Sequence, residues 1–129
     1  MDLLLADDDP LLRELFRKFL EGVGHIVVCA TDGDQALRMA MGGGYAVAIL
    51  DIDMPGLSGW DVATALRANL RTRSMHLIAV SGRTRPWDVE RSARAGFDLH
   101  LAKPVSGPQL CDAIERGSTG MREGVHPRV

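Results

Sequence analysis

Leu3-Leu4-Leu5-Ala6-Asp7-Asp8-Asp9-Pro10 decides the architecture. The four apolar residues read as a buried strand that three carboxylates bring to a stop. Asp9-Pro10 then starts a helix: the aspartate caps the first turn, and proline fits the first position, where no backbone N–H is needed. Leu12, Leu15, Phe16, Phe19 and Leu20 follow at helical spacing and predict one apolar face, which Gly22 and Gly24 end. The same unit recurs along the chain. Ile26-Val27-Val28-Cys29-Ala30 reads as a strand and residues 33–41 as a short helix, stopped by Gly42-Gly43-Gly44 before the strand Ala46-Val47-Ala48-Ile49-Leu50. A loop at Pro55-Gly56-Leu57-Ser58-Gly59 leads into a third helix marked by Val62, Ala63, Leu66 and Leu70. Leu77-Ile78-Ala79-Val80, a helix over 87–95, the strand Leu99-His100-Leu101-Ala102 and a last helix over 108–116 complete the series. Strands this continuously apolar belong to a parallel sheet covered by helices on both faces. Five alternations predict a doubly wound α/β domain, for which the commonest strand order is 2-1-3-4-5.

Composition narrows the function classes. The chain has 129 residues, 46% hydrophobic and 25% charged, as an ordinary single globular domain would. No apolar run approaches the ~20 residues of a membrane helix, and the opening six residues meet charge too soon for a signal peptide. Cys29 and Cys111 stand far apart, outside any CxxC pair, which predicts free thiols in a reducing cytoplasm. The four histidines have no zinc-finger spacing. A net charge of −2 hides an asymmetry: residues 1–65 hold 4 basic and 11 acidic residues, and residues 66–129 hold 11 and 6. That is not the uniform basic surface of a nucleic-acid binder, and no direct nucleic-acid contact is expected. Residues 1–117 are expected to form the domain, and residues 118–129 a polar, frayed tail.

In an open parallel sheet, ligands bind beyond the carboxyl ends of the strands, where strand order reverses. Here that point lies between the first and third strands, which end at Asp7-Asp8-Asp9 and Asp51-Ile52-Asp53. Ser81 follows the fourth strand and Lys103 the fifth. Carboxylates packed this closely repel one another unless a cation joins them, and oxygen ligands suit Mg²⁺. Lys103 and the Ser81 hydroxyl would complement a dianionic phosphoryl group beside it. The pattern suggests magnesium-assisted phosphoryl transfer with a carboxylate as acceptor. Asp9 is read as the helix cap, and Trp60 and Trp87 as packing or surface aromatics.

Four stretches together resemble the receiver domain of two-component response regulators: Leu5-Ala6-Asp7-Asp8-Asp9-Pro10, Ile49-Leu50-Asp51-Ile52-Asp53-Met54-Pro55-Gly56, Val80-Ser81-Gly82 and Leu101-Ala102-Lys103-Pro104. The resemblance covers about residues 1–116 and implies the flavodoxin-like (βα)5 fold. It implies that Asp51 is the phosphoacceptor, receiving a phosphoryl group from a histidine kinase or histidine phosphotransfer protein. Mg²⁺ (or Mn²⁺) would be bound by Asp8, by Asp51 and by the backbone carbonyl of Asp53, with Asp7 behind them. Ser81 and Lys103 would hold the phosphoryl oxygens, and the Lys103-Pro104 bond would be cis. Ser81 and His100 would form the switch pair, His100 standing where receivers often place Tyr or Phe. Such a domain catalyses its own phosphorylation and dephosphorylation without being a turnover enzyme. Its usual responsive surface is the fourth helix, fifth strand and fifth helix, and a phosphorylation-dependent homodimer is within the family's repertoire.

A small Mg²⁺ phosphatase of the haloacid dehalogenase type, using Asp51 and Asp53, is the rival reading. It places Asp-x-Asp on the first strand and its acidic pair late, the reverse of the order here, and 129 residues leave little room for a substrate cap. A flavin carrier shares the strand order, but the acidic loop after the first strand would repel a flavin phosphate. The dozen residues after the last helix are too few for a DNA-binding output domain. The expected chain is therefore a free-standing receiver, or one cut from a larger regulator or hybrid kinase, acting on an unknown downstream protein.

Overall fold

The computed structural model describes residues 1–118, so the expected tail lies, apart from Ser118, outside the described residues. Strands and helices alternate: β1 (Asp2–Ala6), α1 (Pro10–Gly22), β2 (Ile26–Ala30), α2 (Gly33–Met41), β3 (Val47–Asp51), α3 (Gly59–Ala68), β4 (His76–Ser81), α4 (Pro86–Ala95), β5 (Leu99–Ala102) and α5 (Gly107–Ser118). All pairings are parallel, in the order β2-β1-β3-β4-β5. Register carries the site. Ala6 pairs with Leu50, so the next residues along, Asp7 and Asp51, emerge side by side. Ser81 pairs with Ala102, which puts Lys103 one step beyond it.

Alternation along the strands divides the core in two. Leu4, Ala48, Leu50, Leu77 and Ala79 face α2 and α3, where Ala36, Ala40, Val62, Ala63 and Leu66 are buried. Leu3, Leu5, Val47, Ile49, Ile78 and Val80 face α1 and α5, meeting Phe16, Leu20, Leu110 and Ile114.

Two sequence expectations need correction. Leu15 and Phe19 were predicted on the apolar face of α1, but they are 56% and 39% exposed. Only Leu12, Phe16 and Leu20, one turn apart, pack into the core; Leu15 and Phe19 sit about 100° and about 60° round the helix from the centre of that stripe. Leu70 was read as part of α3. The helix ends at Ala68, and Leu70 lies beyond it, 75% exposed.

The start of α3 presses directly on the end of β3. A Cβ at Gly59 would fall 2.5 Å from the Asp51 carbonyl oxygen and 2.9 Å from Ile52 Cα, backbone atoms that cannot swing aside. Gly59→Ala is expected to cost about 2–3 kcal/mol as overpacking and to displace Asp51. Chemical denaturation measures the loss, and unchanged stability would mean that the α3–β3 contact is looser than described.

Candidate functional site

Four strand ends converge on one rim. Asp7 and Asp8 follow β1, Asp51 closes β3, Ser81 closes β4 and Lys103 follows β5. Carboxylate oxygens of Asp7, Asp8 and Asp51 lie within 4.8 Å of one another. Asp7 and Asp51 are buried and Asp8 is exposed. Lys103 Nζ stands 3.3 Å from Asp51 Oδ2 and 3.4 Å from Asp7 Oδ2, bridging the two buried acids.

Local hydrogen bonds hold the cluster in place. Asp7 Oδ1 accepts the Asp9 N–H at 2.9 Å, and Arg13 donates to the Asp7 carbonyl at 2.7 Å. Asp51 Oδ1 accepts the Asp53 N–H at 3.2 Å. Asp9 turns its own carboxylate to the first N–H groups of α1, at Leu11 and Leu12, as a helix cap does.

Burial pushes the Asp51 carboxyl up to about 6; Lys103 pulls against this and Asp7 adds to it. Burial by itself would depress the Lys103 ammonium, but Asp51 and Asp7 together hold it above the ordinary lysine range. Three carboxylates share one ammonium, and Asp8 has no ion-pair partner among the described residues. An all-oxygen donor set with excess negative charge fits a hard divalent cation such as Mg²⁺.

The remaining predicted residues surround this cluster. Ser81 is fully buried, its Oγ accepting the Arg83 N–H at 2.9 Å. The Asp53 side chain turns to Arg83, whose Nε and Nη2 both lie 2.9 Å from Asp53 Oδ1. The Lys103–Pro104 peptide bond is cis. His100 is anchored at both ring nitrogens, 2.8 Å from Ser92 Oγ and 2.8 Å from the Arg83 carbonyl. His76, far down β4, is buried, with Nε2 2.8 Å from the Ala113 carbonyl. Sequence reasoning missed Ser92 and the pairing of Arg83 with Asp53. A signal for Ser92 existed: the buried positions of α4 are Asp88 and Ser92, polar residues one turn apart where an apolar stripe would be usual.

Known proteins resemble this chain in sequence and fold. A family model described as the response regulator receiver domain matches residues 3–115. The chemotaxis protein CheY of Pseudomonas aeruginosa is 28% identical over 90% of this chain and 94% of its own length. The sensory/regulatory protein RpfC of Xanthomonas campestris is 30% identical over 98% of this chain, which spans only 18% of RpfC. Among solved structures, the receiver domain of the P. aeruginosa sensor histidine kinase PA1611 superposes with a TM-score of 0.83 at 29% identity. That match covers 89% of this chain and 94% of the other, which holds a magnesium ion in its active site cleft. The family match supports the receiver reading over the phosphatase one. The chain belongs to the receiver-domain family of two-component signalling, and is a switch rather than a turnover enzyme.

Proposed function

We propose that Asp51 is the phosphoacceptor of this receiver. One observation carries the reading: a buried carboxylate at the sheet's switch point lies beside two further carboxylates and 3.3 Å from a lysine ammonium. Asp51 attacks phosphorus as its bond to the donor breaks and the leaving group departs with the bonding pair. With a pKa of about 6, the attacking oxygen is mostly ionised at neutral pH. Lys103 lies where it can bind the phosphoryl oxygens, and the Ser81 hydroxyl has a hydrogen to donate to them once phosphate arrives.

The family binds Mg²⁺ at this acidic pocket, and in this chain Asp8, Asp51 and the Asp53 carbonyl are the proposed ligands, with Asp7 behind them. When bound, the ion (Mg²⁺ or Mn²⁺) neutralises charge on the transferring phosphoryl group.

Relatives include receivers built into histidine kinases as well as separate regulators. The proposed donor is the phosphohistidine of a kinase or phosphotransfer protein in the reducing cytoplasm. Leu11, Leu15 and Phe19 support a protein donor: they form an exposed apolar row along α1, which begins beside Asp8. The proposed output runs through α4, β5 and α5 to a downstream protein.

Treatment with acetyl phosphate and Mg²⁺, followed by mass spectrometric mapping, tests the reading. Label is expected on Asp51, absent in EDTA and absent from Asp51→Asn. Undiminished labelling of one other residue in that variant would overturn the assignment. In the same assay Leu15→Ser should slow transfer from a phosphohistidine protein and leave acetyl phosphate unaffected. Equal slowing of both donors would remove α1 from donor docking.

A further inference from the structure

Arg83 is tied to the Asp51 site at two points. Its backbone N–H donates to Ser81 Oγ at 2.9 Å, and its guanidinium clasps the Asp53 carboxylate. Its carbonyl oxygen begins a chain of hydrogen bonds leading away from the site. His100 Nε2 lies 2.8 Å from that carbonyl, and His100 Nδ1 lies 2.8 Å from Ser92 Oγ. Trp60 Nε1 lies 2.9 Å from the same hydroxyl. The chain thus joins the β4–α4 loop, β5, α4 and α3.

For a neutral imidazole the polarity has one solution. A carbonyl only accepts, so His100 Nε2 carries the hydrogen. An indole N–H only donates, so Ser92 Oγ accepts from Trp60. The one hydroxyl hydrogen of Ser92 then goes to His100 Nδ1, the ring's acceptor. Serine inside a helix often returns its hydroxyl to a carbonyl one turn back; here the hydroxyl hydrogen goes to β5 instead, and its oxygen accepts from α3. Ser92 and Trp60 are buried, 1% and 7% exposed, so neither has ready access to a substitute partner in water.

Hydrogen bonds weaken steeply outside a narrow range of distance and angle, and a buried polar group left unpaired is costly. If Ser81 Oγ turns from the Arg83 N–H toward a phosphoryl oxygen, that N–H loses its acceptor and the Arg83 backbone is no longer held in place. A shift of the Arg83 carbonyl then draws His100, Ser92 and Trp60 with it or breaks their hydrogen bonds. Trp60 lines an open cleft of about 260 Å³ between α3 and α4, together with Asp61, Thr64, Arg91 and Arg94. The Arg91 guanidinium lies over the indole at 4.0 Å.

We propose that the chain from the Arg83 carbonyl through His100 and Ser92 to Trp60 couples the state of the Asp51 site to the α3–α4 cleft. The cleft then changes on phosphorylation alongside the α4–β5–α5 face. The proposal rests on the reading of Asp51 as phosphoacceptor. His100 and Ser92 act in it as positioning residues.

The test follows the indole N–H resonance of Trp60 by NMR while Mg²⁺ and beryllofluoride, a phosphoryl mimic, are added. Trp87→Phe identifies the signal, and fluorine NMR reports loading of the site. In the loaded wild type the Trp60 signal is expected to move by more than its linewidth. His100→Gln should keep the movement, because an amide can donate to the Arg83 carbonyl and accept from Ser92. His100→Phe and Ser92→Ala should lose it while still loading. A loaded wild type with an unmoved Trp60 signal, or equal movement in His100→Phe and Ser92→Ala, would overturn the coupling alone. No bound fluoride in the wild type would instead sink the phosphoacceptor reading beneath it.

Discussion

Asp51→Asn is expected to stabilise the metal-free protein by about 3 kcal/mol at pH 8, although it removes the group that function requires. The cause is burial. The Asp51 carboxyl rises from its ordinary 3.8 to about 6 in the folded protein. Between those values the folded state holds a proton that the unfolded state has released, so wild-type stability falls as pH rises through that window. Below pH 4 both states are protonated and the cost vanishes; above pH 6 it is fully present. Asparagine keeps the shape and carries no charge, so its advantage should grow from near zero at pH 4 to its full value by pH 7. Urea unfolding in EDTA across that range measures it. A constant difference at all pH values would mean that the gain comes from packing, not from ionisation. Adding Mg²⁺ should reverse the order, because an ion that binds only the folded state stabilises it by mass action and needs the Asp51 charge.

How much of this was visible in the sequence depended on how local each signal was. Strand ends were legible because apolar runs stop abruptly at charge, as at Ala6-Asp7, Leu50-Asp51 and Ala102-Lys103. Parallel register then had to bring those ends together, and with the order β2-β1-β3-β4-β5 it does. Asp9 was legible as a cap because a cap is a local device followed by proline. The width of the buried stripe on α1 was not. It depends on how closely α5 approaches, and Phe19 lies over Gly107 at the start of α5 rather than in the core. Contacts between loops were also hidden. Arg83 and Asp53 are thirty residues apart, and their pairing follows from tertiary placement of two loops. Ser92 was overlooked for a different reason: periodicity searches for apolar residues, and at this position α4 buries a serine that is satisfied from β5 and α3.

Lys103→Met should have the opposite sign, costing the metal-free protein about 2–3 kcal/mol at neutral pH. Methionine preserves most of the apolar stem, so the loss isolates the ammonium. Removing one partner of a buried ion pair leaves the other charge uncompensated, and here two carboxylates, Asp7 and Asp51, lose the same cation. The upper end of the usual range does not apply, because the Lys103 side chain is 26% exposed and water screens part of the attraction. Lys103 also opposes the rise of the Asp51 carboxyl, which must therefore climb further in the variant. The deficit should accordingly shrink as pH falls and Asp51 takes up its proton. Mg²⁺ should raise the melting temperature of Lys103→Met more than that of the wild type, since the ion then restores the positive charge that the variant has taken from between the two buried acids. Equal stability of the two proteins in EDTA would show that the ammonium is solvated and does not balance the cluster. With Asp51→Asn expected to stabilise and Lys103→Met to destabilise at one and the same ion pair, excess negative charge is the common cause, and packing predicts neither sign.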